Sequence, residues 1–224
     1  MDYKLLATDI DGTITDEHGR IHLKAIDTIR NLEERGIKVV LVSGRPLPFV
    51  ESLALFVGTS GPVIAENGAV IKIGPEPFLI GDPQPAKDAL VELQRHFPVE
   101  PDDDNRYRLV DISLKMTVAP ESLQQYITTH LLPVTLLVTN VMLHLVDNRV
   151  SKGKAVNNVI QQLGITPAET IVSGDSFNDL SLFEIGATNL AVANAPDALK
   201  EKANYVSTHL YGEGFSELIR RLIP

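Results

Sequence analysis

Short apolar runs that each break off in a glycine, a carboxylate or a hydroxyl are what most restricts the folding of this chain. They are Leu5-Leu6-Ala7-Thr8 before Asp9-Ile10-Asp11-Gly12-Thr13, Ile37 to Val42 before Ser43-Gly44-Arg45-Pro46, Pro62 to Ala65 before Glu66-Asn67-Gly68, and Thr170 to Ser173 before Gly174-Asp175. Between them apolar residues recur at helical spacing, through Ala25, Ile26, Ile29 and Leu32 ahead of Gly36, and through Val156, Val159, Ile160 and Leu163 ahead of Gly164. Runs with no polar alternation are buried on both faces, the habit of parallel strands. Strands alternating with helices predict an α/β fold, a Rossmann-like parallel sheet core with helices on both faces. Ligands of such sheets collect outside the carboxyl ends of the strands, where the polar residues of this chain fall.

The rhythm stops after the third strand. Prolines crowd positions 75 to 101, and Asp102-Asp103-Asp104, expected to be a solvated loop, follows. A helix over Pro85 to Phe97, a strand through Val110, Ile112, Leu114 and Met116 with a wet face at Asp111, Ser113 and Lys115, a helix after Pro120, and strands 134–138 and 141–146 around Thr139-Asn140 make a different unit. It reads as an inserted small α+β cap over 83–149, an antiparallel sheet with helices on one face, between core segments 1–82 and 150–224. Past Lys152-Gly153-Lys154 the βα order resumes, with a helix to Glu184, a strand at Leu190 to Val192, a short helix near Pro196, a strand at Tyr205-Val206 and a last helix over Glu213 to Leu222.

The 224 residues are enough for a core of this size, and 44% hydrophobic with 22% charged residues fits a soluble globular chain. A net charge of -9 without a basic stripe argues against a nucleic-acid partner. No apolar run approaches the roughly 20 residues of a membrane span, and no basic leader precedes the first strand. Cysteine is absent, which removes disulfides, thiolate metal sites and thiol nucleophiles and suits the cytoplasm. The chain is expected to be a monomer or a homodimer.

Asp9 and Asp11 lie two apart on an extended backbone, so both face away from Ile10 and would repel each other unless a cation or proton is shared. With Asp175 and Asp179 they make an all-oxygen set suited to Mg²⁺, which keeps waters and accepts a phosphate oxygen. Ser43 and the amides of neighbouring turns, Gly44 among them, can donate to phosphate, as Asn67 can. Lys152 is a point charge for a carboxylate and a phosphate together. No Gly-x-Gly-x-x-Gly and no P-loop is present.

Asp9-Ile10-Asp11-Gly12-Thr13, Val42-Ser43-Gly44-Arg45, Lys152-Gly153 and Gly174-Asp175-Ser176-Phe177-Asn178-Asp179 resemble, in order, the four signature motifs of the haloacid-dehalogenase superfamily of phosphatases. The position of the insert resembles the Cof-like branch, and the compact cap with Tyr211-Gly212-Glu213-Gly214 looks most like the archaeal-type phosphoglycolate phosphatases. The resemblance implies an aspartyl-phosphate formed on Asp9, with Asp11 as general acid and base, and Mg²⁺ held by Asp9, the Asp11 carbonyl and Asp175, with Asp179 beside them. Lys152, Ser43, Gly44 and Asn67 would then bind the phosphoryl group of a small phosphorylated metabolite, most simply 2-phosphoglycolate.

Blander readings stand beside these. Ser43 and Asn67 are also turn residues, Lys154 competes with Lys152, Asp179 can favour a helix N-terminus, and Arg45 can be a surface cation. Arg106, Arg108, Lys115 and His144 of the insert are candidates for a substrate carboxylate, though such charges are usually solvated. Competing functions are a Cof-like sugar-phosphate phosphatase, a phosphomutase and a receiver-like phospho-acceptor module. Against the last stand the second carboxylate of the Asp-x-Asp pair and a cap that would screen the site.

Overall fold

A computed structural model describes residues 2–139 and 142–224. In chain order the elements are β1 (Leu5–Asp9), α1 (Leu23–Glu34), β2 (Lys38–Val42), α2 (Leu47–Val57), β3 (Val63–Ala65), β4 (Val70–Lys72), β5 (Pro77–Leu79) and α3 (Pro83–Gln94). There follow β6 (Ile112–Leu114), α4 (Pro120–Thr129), β7 (Val134–Val138), β8 (Leu143–Asp147), α5 (Lys152–Leu163), β9 (Thr170–Gly174), β10 (Thr188–Ala191), α6 (Asp197–Lys200), β11 (Tyr205–Val206) and α7 (Tyr211–Leu222).

The larger sheet has the order β11-β10-β9-β1-β2-β3-β4-β5. Its first six strands are parallel, and β4 and β5 add an antiparallel edge. Connections run outward from β1 in both directions, which opens a crevice at the carboxyl ends on either side of it. Register then aligns the chemistry: Asp9 pairs with Val42, next to Ser43, and Thr8 with Ser173, two residues before Asp175. Both faces are buried, as the unbroken apolar runs require. Leu6 and Ile10 join α1, α2 and α7 residues such as Ile29, Val50 and Phe215 in one core, while Leu5 and Ala7 join Val156, Val159 and Ile160 of α5 in the other. Among the described residues no helix is long and apolar enough to cross a membrane.

The insert carries a second sheet, β6-β8-β7, fully antiparallel. Leu114, Leu136, Leu143 and Leu145 pack with Ala89 and Leu93 of α3 and Leu123 and Ile127 of α4, so both helices cover one face as expected.

Four expectations need correction. The strand around 110–116 is only Ile112–Leu114, because the amides of Leu109, Val110 and Asp111 are taken by the Glu66 carboxylate instead of a ladder. Its second face is not wet: Asp111 and Ser113 are buried. The acidic run is not simply solvated, since Asp104 pairs with Arg108 at 2.7 Å and Asp102 accepts the Asp104 amide. The helix expected to reach Glu184 is two single 3-10 turns, Phe177–Asp179 and Leu182–Glu184, the first closed by Asp179 accepting the amides of Asp175 and Ser176. The edge strands β4 and β5 pair as a short hairpin in a stretch that Gly74, Pro75 and Pro77 make read as a linker. The turn expected at Thr139-Asn140 and the start of the next strand at Val141 lie partly outside the described residues.

Candidate active site

Asp9 ends β1 with its carboxylate buried, and Lys152, at the first turn of α5, reaches it with Nζ to Oδ1 at 2.6 Å. The same ammonium donates to Asp179 Oδ1 at 2.7 Å and to Asn178 Oδ1 at 3.3 Å. An ammonium has three hydrogens, and each has an acceptor here. Lys152 can lie so deep because Gly153 follows it: a Cβ at Gly153 would stand 2.0 Å from the Ser181 carbonyl oxygen, so only a glycine lets the start of α5 close on that segment. Burial opposes the charge on Lys152, but Asp179 and Asp9 together outweigh it and raise its pKa.

Asp175, just past β9, accepts from Thr13 Oγ1 at 2.8 Å. Gly12 has a left-handed φ of 92°, and a Cβ there would stand 2.1 Å from Asp175 Oδ2. The turn after β1 is held close to Asp175 by Asn194, which donates to the Gly12 carbonyl at 2.9 Å and accepts the Tyr211 amide. The Tyr211-Gly212 motif thus starts α7 and braces that turn, with Gly212 donating to the Thr15 carbonyl.

Carboxylate oxygens of Asp9, Asp175 and Asp179 all lie within 4.8 Å of one another. With one ammonium among them, two negative charges are in excess when all are ionised. Burial is the main cause that raises the pKa of Asp9 well above the carboxylate range and that of Asp175 to about 7; neighbouring carboxylates add to both. A cluster so short of positive charge fits a divalent cation in chemistry and position. Asp179 is the least available ligand, its Oδ1 being engaged by Lys152 and its Oδ2 by two amides.

The other expected residues fall on the rim. Asp11 lies just past the end of β1, where strand alternation no longer governs, and its half-exposed carboxylate is gripped by Arg45 through Nε to Oδ2 at 2.8 Å and Nη2 to Oδ1 at 2.7 Å. It is outside the buried cluster. Ser43 is buried, and its Oγ accepts the Arg45 amide at 3.1 Å, leaving its own hydrogen to give. The Gly44 carbonyl accepts from Arg108 at 2.9 Å. Asn67 is buried and spans to the insert, donating to Asp111 Oδ2 at 3.0 Å and accepting from Asn178 at 3.4 Å.

A family model for haloacid dehalogenase-like hydrolases matches residues 6–89 and 101–219. The chain belongs to that family. A protein from Methanoculleus marisnigri named phosphoglycolate phosphatase is 37% identical over 99% of this chain and 97% of its own length. One of the same name from Methanothermobacter thermautotrophicus is 34% identical over 98% and 99%. A crystal structure of a Thermoplasma acidophilum protein superposes with a TM-score of 0.91 at 27% identity, covering 99% of this chain and 98% of that one. The protein is therefore an enzyme, a haloacid dehalogenase-like hydrolase of the phosphatase type.

In this hydrolase a cleft of about 310 Å³ separates Thr135, Leu137 and Val146 of the insert from Asn67, Lys152 and Asn178 of the core. Of the four insert candidates, Arg106 lies over the Tyr107 ring and Lys115 faces Glu100, away from this cleft. Arg108 is buried between Asp104 and Asp111, and His144 Nδ1 lies 3.2 Å from Asp111 Oδ2, off the line of a hydrogen bond. Thr13, Asn178, Glu66 and Asp111 are the residues a reading of motifs passed over. Thr13 and Asn178 lie inside the signature motifs and Glu66 at a polar strand end, where each could have been singled out, whereas Asp111 reads only as the wet face of a strand.

Proposed function

We propose that this hydrolase is a Mg²⁺-dependent phosphomonoesterase that works through an aspartyl-phosphate on Asp9 and hydrolyses 2-phosphoglycolate to glycolate and phosphate. The observation that carries the reading is the Asp9 carboxylate at a parallel strand end, oriented by Lys152 inside a buried cluster with excess negative charge. Asp9 attacks phosphorus as the bond to the ester oxygen breaks, and Asp11 gives its proton to the departing alkoxide. Water then attacks the phosphoryl group, Asp11 takes its proton, and the Asp9 oxygen–phosphorus bond breaks to release phosphate. Asp9, Asp175 and the Asp11 carbonyl would hold the metal, with Asp179 behind them setting Lys152 and the amides of Asp175 and Ser176. When bound, the cation neutralises phosphoryl charge.

Ser43 and the Gly44 turn donate to phosphate oxygens, while Lys152 steadies both nucleophile and phosphoryl group. Arg45, half-exposed beside Asp11, suits a carboxylate next to the ester oxygen, and the names of the similar proteins support the same substrate. The test is phosphate release from 2-phosphoglycolate with and without Mg²⁺, beside sugar and nucleotide monophosphates, with Asp9→Asn as blank. Best turnover of 2-phosphoglycolate and a dead blank are expected. Preference for a sugar phosphate would overturn the substrate, and release that survives Asp9→Asn would overturn the mechanism.

A further inference from the structure

Four side chains form one line of hydrogen bonds from the insert to the catalytic ammonium. Asn67 Nδ2 donates to Asp111 Oδ2 at 3.0 Å, Asn178 Nδ2 donates to Asn67 Oδ1 at 3.4 Å, and Lys152 Nζ donates to Asn178 Oδ1 at 3.3 Å. Asn67 and Asp111 are buried, which keeps water out of the link between them, while Asn178 is half-buried and borders the cleft. Glu66 and Asn67 both adopt left-handed backbone, φ 51° and 57°, a conformation non-glycine residues rarely hold outside functional or over-determined sites. The amide of Asn67 is pinned by the Ser43 carbonyl at 3.0 Å, which fixes where its side chain emerges.

The line has a direction, and one end sets it. An ionised carboxylate only accepts, whereas a primary amide accepts at one atom and donates at the other. Asp111 therefore forces Asn67 to present Nδ2 to it and Oδ1 to Asn178. Asn178 must then present Nδ2 to Asn67, which leaves its Oδ1 for Lys152. With the amides reversed, an N–H of Asn178 would confront the ammonium, donor against donor. Ser176 Oγ also touches Asn178 Oδ1, but a hydroxyl serves either role and cannot choose the orientation. Asp111 is held as the acceptor end by Arg108 Nη1 at 2.5 Å, which keeps its charge in place.

We propose that Asp111 and Asn67 are positioning residues: a carboxylate buried in the insert dictates, through two ordered amides, the acceptor that aims Lys152 at Asp9. The consequence is that docking of the insert bears on the chemical step as well as on the choice of substrate. This rests on the reading that Lys152 serves phosphoryl transfer at Asp9.

The test uses the full-length protein, Mg²⁺ and p-nitrophenyl phosphate, so that it does not depend on the natural substrate. Asp111→Asn makes the end of the line ambiguous, and kcat should fall about tenfold, the scale seen when a group supporting a site residue is lost, with KM changing much less. Adding Asn67→Asp returns an acceptor-only group one step further along, facing an amide donor at position 111 and Asn178 Nδ2, so the double variant should regain most of the lost kcat. Urea unfolding of each variant is run alongside. If Asp111→Asn does not fold, Asn67→Ala, which leaves Asp111 with Arg108, should show the same selective fall in kcat. Wild-type kcat in Asp111→Asn or Asn67→Ala, or a double variant no better than the single, would overturn the inference while leaving the phosphatase reading intact. A wild-type protein whose phosphate release does not need Asp9 would overturn that reading and this inference with it.

Discussion

Replacing Glu66 by glutamine should make the protein more stable in alkali. Glu66 leaves the end of β3, is fully buried, and its carboxylate accepts the amides of Leu109, Val110 and Asp111 at 2.8 to 3.1 Å. Those donors favour its ionised form, but burial first and the nearby charge of Asp111 second push the other way and lift its pKa from 4.5 to about 7. Asp111 itself stays ionised: burial opposes this, yet His144 and Arg108 outweigh it and hold its pKa low. A carboxyl with a raised pKa lends stability that is complete below its unfolded value and is lost as pH climbs through the folded one. Each decade is worth about 1.4 kcal/mol, so ionising Glu66 in place costs roughly 3 kcal/mol by pH 8 to 9.

Glutamine resembles the protonated acid and does not titrate. Glu66→Gln should therefore lead wild type by only about 1 kcal/mol at pH 5 and by roughly 3 kcal/mol near pH 8.5, the latter about 6 to 12 °C in melting temperature for a chain of this size. Urea unfolding of both proteins at constant ionic strength, from pH 5 to 8.5 with chelator throughout, measures this. Taking the difference between the two proteins removes the contribution of other titrating groups, Asp175 included. A difference independent of pH, or one that turns against the variant as pH rises, would refute the argument, the latter by showing that the three amides require the anion.

The remaining expectations concern the centre. Lys152→Met leaves Asp9 and Asp179 facing each other without their cation, so phosphatase turnover should drop by about 10² to 10³, with a stability loss of about 3 to 5 kcal/mol in metal-free buffer; retained turnover would count against the site. Gly153→Ala places a Cβ 2.0 Å from the Ser181 oxygen, which should cost about 1 to 3 kcal/mol in urea unfolding and lower kcat by displacing Lys152; an unchanged midpoint would show that α5 can shift freely. Mg²⁺ should raise the melting temperature, by the equivalent of about 2.7 kcal/mol at one hundred times its dissociation constant, and Asp175→Asn should remove most of that gain. A gain that survives the substitution would place the ion elsewhere.

The core was legible because parallel strands buried on both faces announce themselves as unbroken apolar runs, and because each run ended in the residues that meet in space. Asp9, Ser43 and Asp175 come together through strand register alone, and Lys152 through a glycine that lets its helix start close in. Asp11 was legible as a neighbour of Asp9 in sequence, but its setting at the rim was not. Its bidentate partner Arg45 comes from the next strand end, and no spacing rule relates positions 11 and 45. The helix expected to reach Glu184 gives way to two 3-10 turns for a local reason: the Asp179 side chain accepts amides of its own turn, which offers the backbone an alternative to helix.

The insert shows where such reading stops. Alternation at Asp111, Ile112, Ser113 and Leu114 separates two faces correctly, but it cannot say whether the polar face meets water or another part of the chain. Here it meets the core. A carboxylate can be buried there only because Arg108 and Asn67 supply donors from one turn upstream and from a strand end more than forty positions away. Each of these residues, taken alone, has the composition of a surface. A buried polar cluster is therefore a property of the docked pair of sheets rather than of any segment, and its charges must be satisfied jointly or not at all. This joint requirement makes the line from Asp111 to Lys152 sensitive to the order of donors and acceptors and not merely to side-chain size, so substitutions that conserve shape are the ones that can expose it.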